Sequence, residues 1–277
     1  MAHVKRILLA LILGGLATAI FGGDTPQPTT RELNLINWME FQKWVPEHIE
    51  TVLLPTGTLE PHGVLPNGSD NLAPERMARE LAQPLNAFIA PTLNYGVTGS
   101  MEAYPGAFSI SREAYLAFVT DILKGLARNG FKNIIILNGH GGPQTAILKE
   151  AAQTVSTPFK VRILLINWWS LTADVTQEVF HQNGGHAGIN ETAYIQHIVP
   201  EHVHKAWYKP ELAIPYPKGS AWSAVPFPAT IGLYEAGEGY PNFNAKQASE
   251  YYQKVNTAVM NFIRDVIQKW DDAGLFR

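Results

Sequence analysis

Apolar and polar positions alternate between two regimes along this chain. Short unbroken apolar runs, Thr51-Val52-Leu53-Leu54-Pro55, Ala87-Phe88-Ile89-Ala90-Pro91, Lys132 to Leu137 and Val161 to Ile166, read as buried strands. Between them lie longer stretches with apolar residues at helical spacing: Leu72 to Leu85, Ser111 to Asn129, Gln144 to Thr154, Ala173 to Phe180, Ile189 to Val199 and Ala245 to Trp270. Leu33 to Trp44 reads as an entering helix, Ser111 as a helix N-cap and Gly130 as a stop. Strands that alternate with helices predict an α/β fold, a three-layer α/β/α sandwich around a mainly parallel sheet. The Ile134-Ile135-Ile136-Leu137 run, β-branched and apolar on both sides, should be a central strand. Pro210 to Pro228, rich in proline and aromatics, shows no periodicity.

Polar residues gather where the apolar runs stop. After the first strand comes Thr56-Gly57-Thr58-Leu59-Glu60-Pro61-His62-Gly63, and then Gly68-Ser69-Asp70. Glu60 and His62, two apart in extended chain, can face one point in space. Asp70 would serve equally as the N-cap of the following helix. The third strand ends in Asn138-Gly139-His140-Gly141-Gly142, an imidazole among residues small enough to let other groups approach. His186 lies between Gly184-Gly185 and Gly188, and Glu191 falls in the first turn of the next helix, where a helix-dipole role is the alternative. Trp168 and Trp169, at the end of the fourth strand, divide between core and pocket wall. The loop from Asn94 to Gly106 is long enough to be functional and carries Tyr104. His202 and His204 have no accompanying carboxylate loop and read as solvent-facing.

Composition narrows the chemistry. The 277 residues contain no cysteine, so zinc–thiolate sites, disulfides and thiol nucleophiles are excluded, and any metal must be held by His, Asp and Glu. A net charge of −3 gives no footprint for nucleic acid. No G-x-S-x-G elbow and no phosphate-binding glycine loop occurs. At the N-terminus, Lys5-Arg6 followed by apolar Ile7 to Ile20 and Ala17-Thr18-Ala19 has the layout of a signal peptide over 1–23, or of an uncleaved anchor. The expectation is an exported protein, periplasmic or secreted, with residues 24–277 forming one domain and no stable membrane span after cleavage.

Taken in order, the Glu60–His62 loop, Gly68-Ser69-Asp70, Asn138 to Gly142 and His186-Ala187-Gly188-Ile189-Asn190-Glu191-Thr192 resemble the creatininase (creatinine amidohydrolase) family. The resemblance implies a binuclear Zn or Mn centre (Fe is also compatible), hydrolysis of a C–N amide bond and a homohexamer. Carried over, it makes Glu60, His62, bridging Asp70 and His140 metal ligands and His186 the proton-shuttling catalytic residue. Creatininase proper has a glutamate ligand where this chain has Gly142. Members with Gly-His-Gly-Gly, such as formamidopyrimidine deformylases and the mycofactocin peptidase, take a ligand from the later helix, which points to Glu191. Ile189 and Pro143 also depart from common family residues. Three carboxylates and two neutral imidazoles facing two divalent cations leave one positive charge, which a bridging hydroxide would cancel. Trp168, Trp169, Gly141 and Tyr104 are expected to bind a small amide substrate. The alternatives are a deformylase or peptidase of the same family, and a secreted binding protein that has lost catalysis.

Overall fold

The computed structural model describes residues 27–276, so the leader segment 1–23 lies outside the described residues. The chain enters through α1 (Trp38–Trp44), capped by the Asn37 side chain, and then β1 (Thr51–Thr56). Next come α2 (Ser69–Ala82), β2 (Ala87–Ile89) and α3 (Arg112–Arg128). β3 (Asn133–Asn138), α4 (Gly142–Phe159) and β4 (Arg162–Asn167) complete the central part. The four strands form one parallel sheet in the order β2-β1-β3-β4, so β3 is central, as its composition predicts.

Side-chain alternation along the strands divides the apolar residues between two faces. Val52, Leu54, Ile134 and Ile136 point to one side, where Val119 and Leu123 of α3 and Leu148 and Val155 of α4 cover them. Leu53, Ile135 and Leu137 point to the other side. There they meet Met77 of α2, with Tyr194 and Tyr251 from two later helices. Burial on both faces is what makes these strands read as continuous apolar runs. The expected three layers are therefore present.

The second half carries the short helices α5 (Trp168–Leu171) and α6 (Ala173–Phe180), then β5 (Gly185–His186) and α7 (Ile189–Ile198). β6 (Ala213–Pro215) and β7 (Ile231–Leu233) follow, and α8 (Ala245–Asp272) ends the fold. The strands β5, β6 and β7 make a second sheet, ordered β5-β7-β6, that periodicity does not reveal. Each is two or three residues long, too short for an alternation pattern.

One expected boundary moves with consequence. The helix expected from Leu72 to Leu85 runs from Ser69 to Ala82, with Gly68 at the N-cap. Asp70 therefore sits inside the first turn and does not cap the helix. Pro74 stands in the second turn, where its missing N–H leaves the Asp70 carbonyl without its i+4 donor. That carbonyl presses against Gly57 and Gly139, where a Cβ would come within 2.2 and 1.9 Å of it. The two glycines thus let α2 lie against the ends of β1 and β3 with Asp70 between them.

Candidate metal centre

All the polar motifs converge beyond the carboxyl ends of β1 and β3, the end of a parallel sheet where sites are built. Glu60, His62, Asp70, His140 and Glu191 are at most 7% exposed, and His186 is nearly buried. The two carboxylate oxygens of Asp70 face different partners. Oδ1 lies 2.9 Å from His62 Nε2 and Oδ2 lies 2.9 Å from His140 Nδ1. Glu60 Oε1 is 3.1 Å from the same His140 nitrogen, and Glu191 Oε2 is 3.6 Å from His62 Nε2. Ligand atoms of Glu60, Asp70 and His140 all lie within 4.8 Å of one another, as do those of Glu60, His62 and His186.

Backbone carbonyls set the histidine orientations. His62 Nδ1 meets Glu60 O at 3.0 Å, His140 Nε2 meets Val97 O at 2.9 Å, and His186 Nε2 meets Pro61 O at 2.8 Å. A carbonyl can only accept, so in each neutral ring that nitrogen carries the proton and the other presents its lone pair. The three lone pairs point into the carboxylates. Such an arrangement needs a cation or an added proton between the groups, and backbone-fixed tautomers are the usual support of histidine ligands. Burial by itself would hold His62 neutral, but Asp70, with Glu191 and Glu60, outweighs it and raises the imidazolium to about 10. Glu191 is raised to about 8, chiefly by burial, while Ala187 N–H donates to its Oε2 at 2.6 Å. Nitrogen and oxygen donors without sulfur, half of them anionic and buried, fit a hard or borderline divalent metal.

The centre opens into a cavity of about 420 Å³. Trp169 and Gly141 line it, the Trp169 ring lying along the Gly141 backbone. Trp168 turns away into the core, 2% exposed and packed on Tyr194 with ring centroids 5.1 Å apart. Tyr104 is not a lining residue: its hydroxyl donates to Phe227 O at 2.7 Å and ties the 94–106 loop to the 210–228 stretch. Ile189 is core, 3% exposed. Gly142 lines the cavity at φ 55°, a left-handed backbone that disfavours any side chain at that position.

The family model described as "Creatininase: Creatinine amidohydrolase" matches residues 34–252. The chain belongs to the creatininase family. Among curated relatives it is 27% identical over 169 residues to the 3-dehydro-scyllo-inosose hydrolase of Thermotoga maritima, a match covering 57% of this chain but only 53% of that protein. It is 27% identical over 186 residues to the creatinine amidohydrolase of Pseudomonas putida, covering 60% of this chain and 71% of that one. The mycofactocin precursor peptide peptidase of Mycolicibacterium smegmatis is 26% identical over 162 residues, covering 56% and 60%. A creatininase solved in a manganese form superposes with a TM-score of 0.71 at 19% identity, covering 85% of this chain and 98% of that one. At that identity the superposition speaks for the fold, which is the creatininase one.

Sequence reasoning missed part of this pocket. Thr98, Asn167, Tyr216 and Tyr234 all line it. Tyr216 comes from the stretch without periodicity, brought in by β6 beside β7, and its ring occupies space that a side chain at Gly232 would fill. Thr98 falls in the 94–106 loop that its length marks, and Asn167 ends an apolar run as Asn138 does, but neither tyrosine carried a local signal.

Proposed function

We propose that the chain is a metal-dependent amidohydrolase that cleaves a C–N amide bond in a small substrate such as creatinine or a related cyclic or linear amide. The observation that carries this reading is the division of the Asp70 oxygens between His62 and His140, which sets nitrogen donors on either side of one buried carboxylate that could hold divalent metal with them. Asp70 with Glu60 and His140 would hold one cation, and Asp70 with His62 and Glu191 the other, zinc or manganese by the donor chemistry. Two such ions would supply Lewis-acid activation of water and of the substrate carbonyl.

The residues of this chain do the rest. His186, held by Pro61 O through Nε2, keeps Nδ1 turned to the cluster, 3.5 Å from Glu60 Oε1. In the metal-free site burial first, and then His62, lowers its pKa to about 4. Nδ1 takes a proton from the attacking water and delivers it to the departing nitrogen. Glu60 stabilises the transient imidazolium. Trp169 gives a flat substrate a face to stack on.

The relatives favour a second reading, in which the same centre cuts a peptide or formamide bond, because the peptidase of M. smegmatis is about as similar as the P. putida enzyme. Metal analysis with hydrolysis of creatinine, linear amides, formamides and short peptides, for wild type and His140→Ala, tests both. Loss of metal and of turnover together is expected. Unchanged metal content in the variant would refute the ligand assignment, and full metal without turnover on any substrate would support a binding protein instead. We also propose, from the resemblance, a homohexamer of single hydrolase domains over 24–277, exported by the 1–23 leader. Light scattering of the purified protein and fractionation of cells test these two points.

A further inference from the structure

A second cavity, of about 580 Å³, lies beyond the amino ends of β1 and β2 and is larger than the 420 Å³ of the metal centre. A volume of this order is typical of sites for small organic molecules. Its walls come from the segment that enters α1, from α1 and its C-terminal turn, and from the approach to β2: Arg31, Lys43, Trp44, His48 and Asn86. The six residues of β1, about 20 Å of extended chain, separate it from the metal centre at the other end of the sheet. A small molecule held here is out of reach of the hydrolytic groups.

Arg31 is a positioned cation without a counter-charge. Its carbonyl accepts from Ile89 N at 2.7 Å, which fastens its backbone to β2, and its Nη1 donates to Asn86 Oδ1 at 2.9 Å. Its Nη2 donates to Gln27 Oε1. Asn86, at a left-handed φ of 47°, donates in turn to His48 O at 2.8 Å, so its whole side chain is spent on holding this wall together. Of the five guanidinium N–H groups, three remain for a ligand. Arg76, Arg79, Arg112 and Arg162 each meet a carboxylate within 4 Å, but among the described residues Arg31 and Lys43 meet none, and no carboxylate lines the cavity. Glu40, one turn before Lys43, instead accepts from Thr29 N and Oγ1. Burial pulls the Arg31 guanidinium below its ordinary pKa with no anion to offset it.

Two permanent positive charges facing one cleft repel each other until an anion enters, and two of them match a dianion better than a single carboxylate. A guanidinium fork beside a lysine ammonium is a natural cradle for phosphate oxygens. Trp44 and Ile49 add an apolar wall next to these charges. We propose that this cavity is a second binding site, for a phosphate monoester that carries a flat ring, with the phosphate on Arg31 and Lys43 and the ring against Trp44. None of these residues belongs to the metal centre, so the proposal stands independently of the hydrolase reading.

The test is calorimetric titration of the full-length chain with phenyl phosphate, inorganic phosphate and benzoate, repeated on Arg31→Gln, Lys43→Gln and His140→Ala. Expected is saturable binding of phenyl phosphate, tighter than either other probe, weakened about tenfold in Arg31→Gln and several-fold in Lys43→Gln, and unchanged in His140→Ala. Lys43 is exposed, so its variant keeps the wild-type melting temperature and the test does not hang on the folding of Arg31→Gln. Phenyl phosphate bound with wild-type affinity by both charge variants, or lost in His140→Ala alone, would overturn the site; the second result would put the phosphate on the metal centre. Benzoate binding as tightly as phenyl phosphate would overturn the dianion, and inorganic phosphate binding as tightly would overturn the ring.

Discussion

Replacing Gly139 by alanine should damage the metal centre without touching a ligand. The new Cβ would lie 1.9 Å from the Asp70 carbonyl oxygen, whereas real Cβ contacts stay above 3.0 Å. One of the two backbones must therefore move by at least about 1 Å, twice the tolerance of about 0.5 Å within which a site must be held. The Asp70 oxygens meet His62 and His140 at 2.9 Å on opposite sides, so such a shift cannot preserve both contacts. Over-packing of this severity costs about 2–3 kcal/mol, or roughly 4–12 °C in melting temperature for a chain of this size. Metal affinity should fall about 10–100-fold, as it does when the support of a ligand is lost.

The assay is metal content by mass spectrometry after dialysis against a fixed free-metal buffer, alongside thermal melting. Gly125→Ala is the control. Gly125 stands inside α3 with nothing within 4 Å of its would-be Cβ, so alanine there should add about 0.5–1 kcal/mol through helix propensity and leave metal content unchanged. Gly139→Ala with wild-type metal content and melting temperature would refute the reasoning about Asp70.

Three further outcomes follow from the structure. Glu191→Gln keeps the size of the side chain and removes a carboxylate that would ligate beside His62, so it should lower metal stoichiometry; full occupancy would leave Glu191 outside the ligand set. Metal binding at pH 7 should release protons, because Asp70 and Glu60 hold His62 and His140 protonated in the free site; since only the deprotonated rings ligate, affinity should rise with pH toward about 10, read by calorimetry in buffers of different ionisation enthalpy. Arg162, buried at the far end of β4, donates to Asn133 Oδ1 at 2.7 Å and Asp271 Oδ1 at 2.6 Å and lies over the Trp270 ring. Arg162→Ala should cost about 2–4 kcal/mol through lost packing and an orphaned Asn133 acceptor while metal content stays at the wild-type level, a separation of stability from site that denaturant melts and metal analysis would show.

The sequence by itself determined the layers and much of the centre. Long apolar runs and helical periodicity locate β1, β3, β4 and the larger helices, because elements buried on one or both faces must repeat their apolar residues at the spacing of the backbone. The glycine-framed motifs likewise mark Glu60, His62, Asp70, His140, His186 and Glu191, since crowded chemistry at strand ends needs small neighbours. Tertiary structure alone decided three other matters. It turned Trp168 into the core and Trp169 into the cavity, a choice that depends on which neighbour each ring meets. It placed Asp70 inside α2 and between two histidines, because Pro74 frees its carbonyl to settle against Gly57 and Gly139 from distant strands. And it assembled β5, β6 and β7, whose two- and three-residue pairings bring Tyr216 and His186 to one wall. Those contacts join residues far apart in the chain through single hydrogen-bond registers, and no local pattern records them.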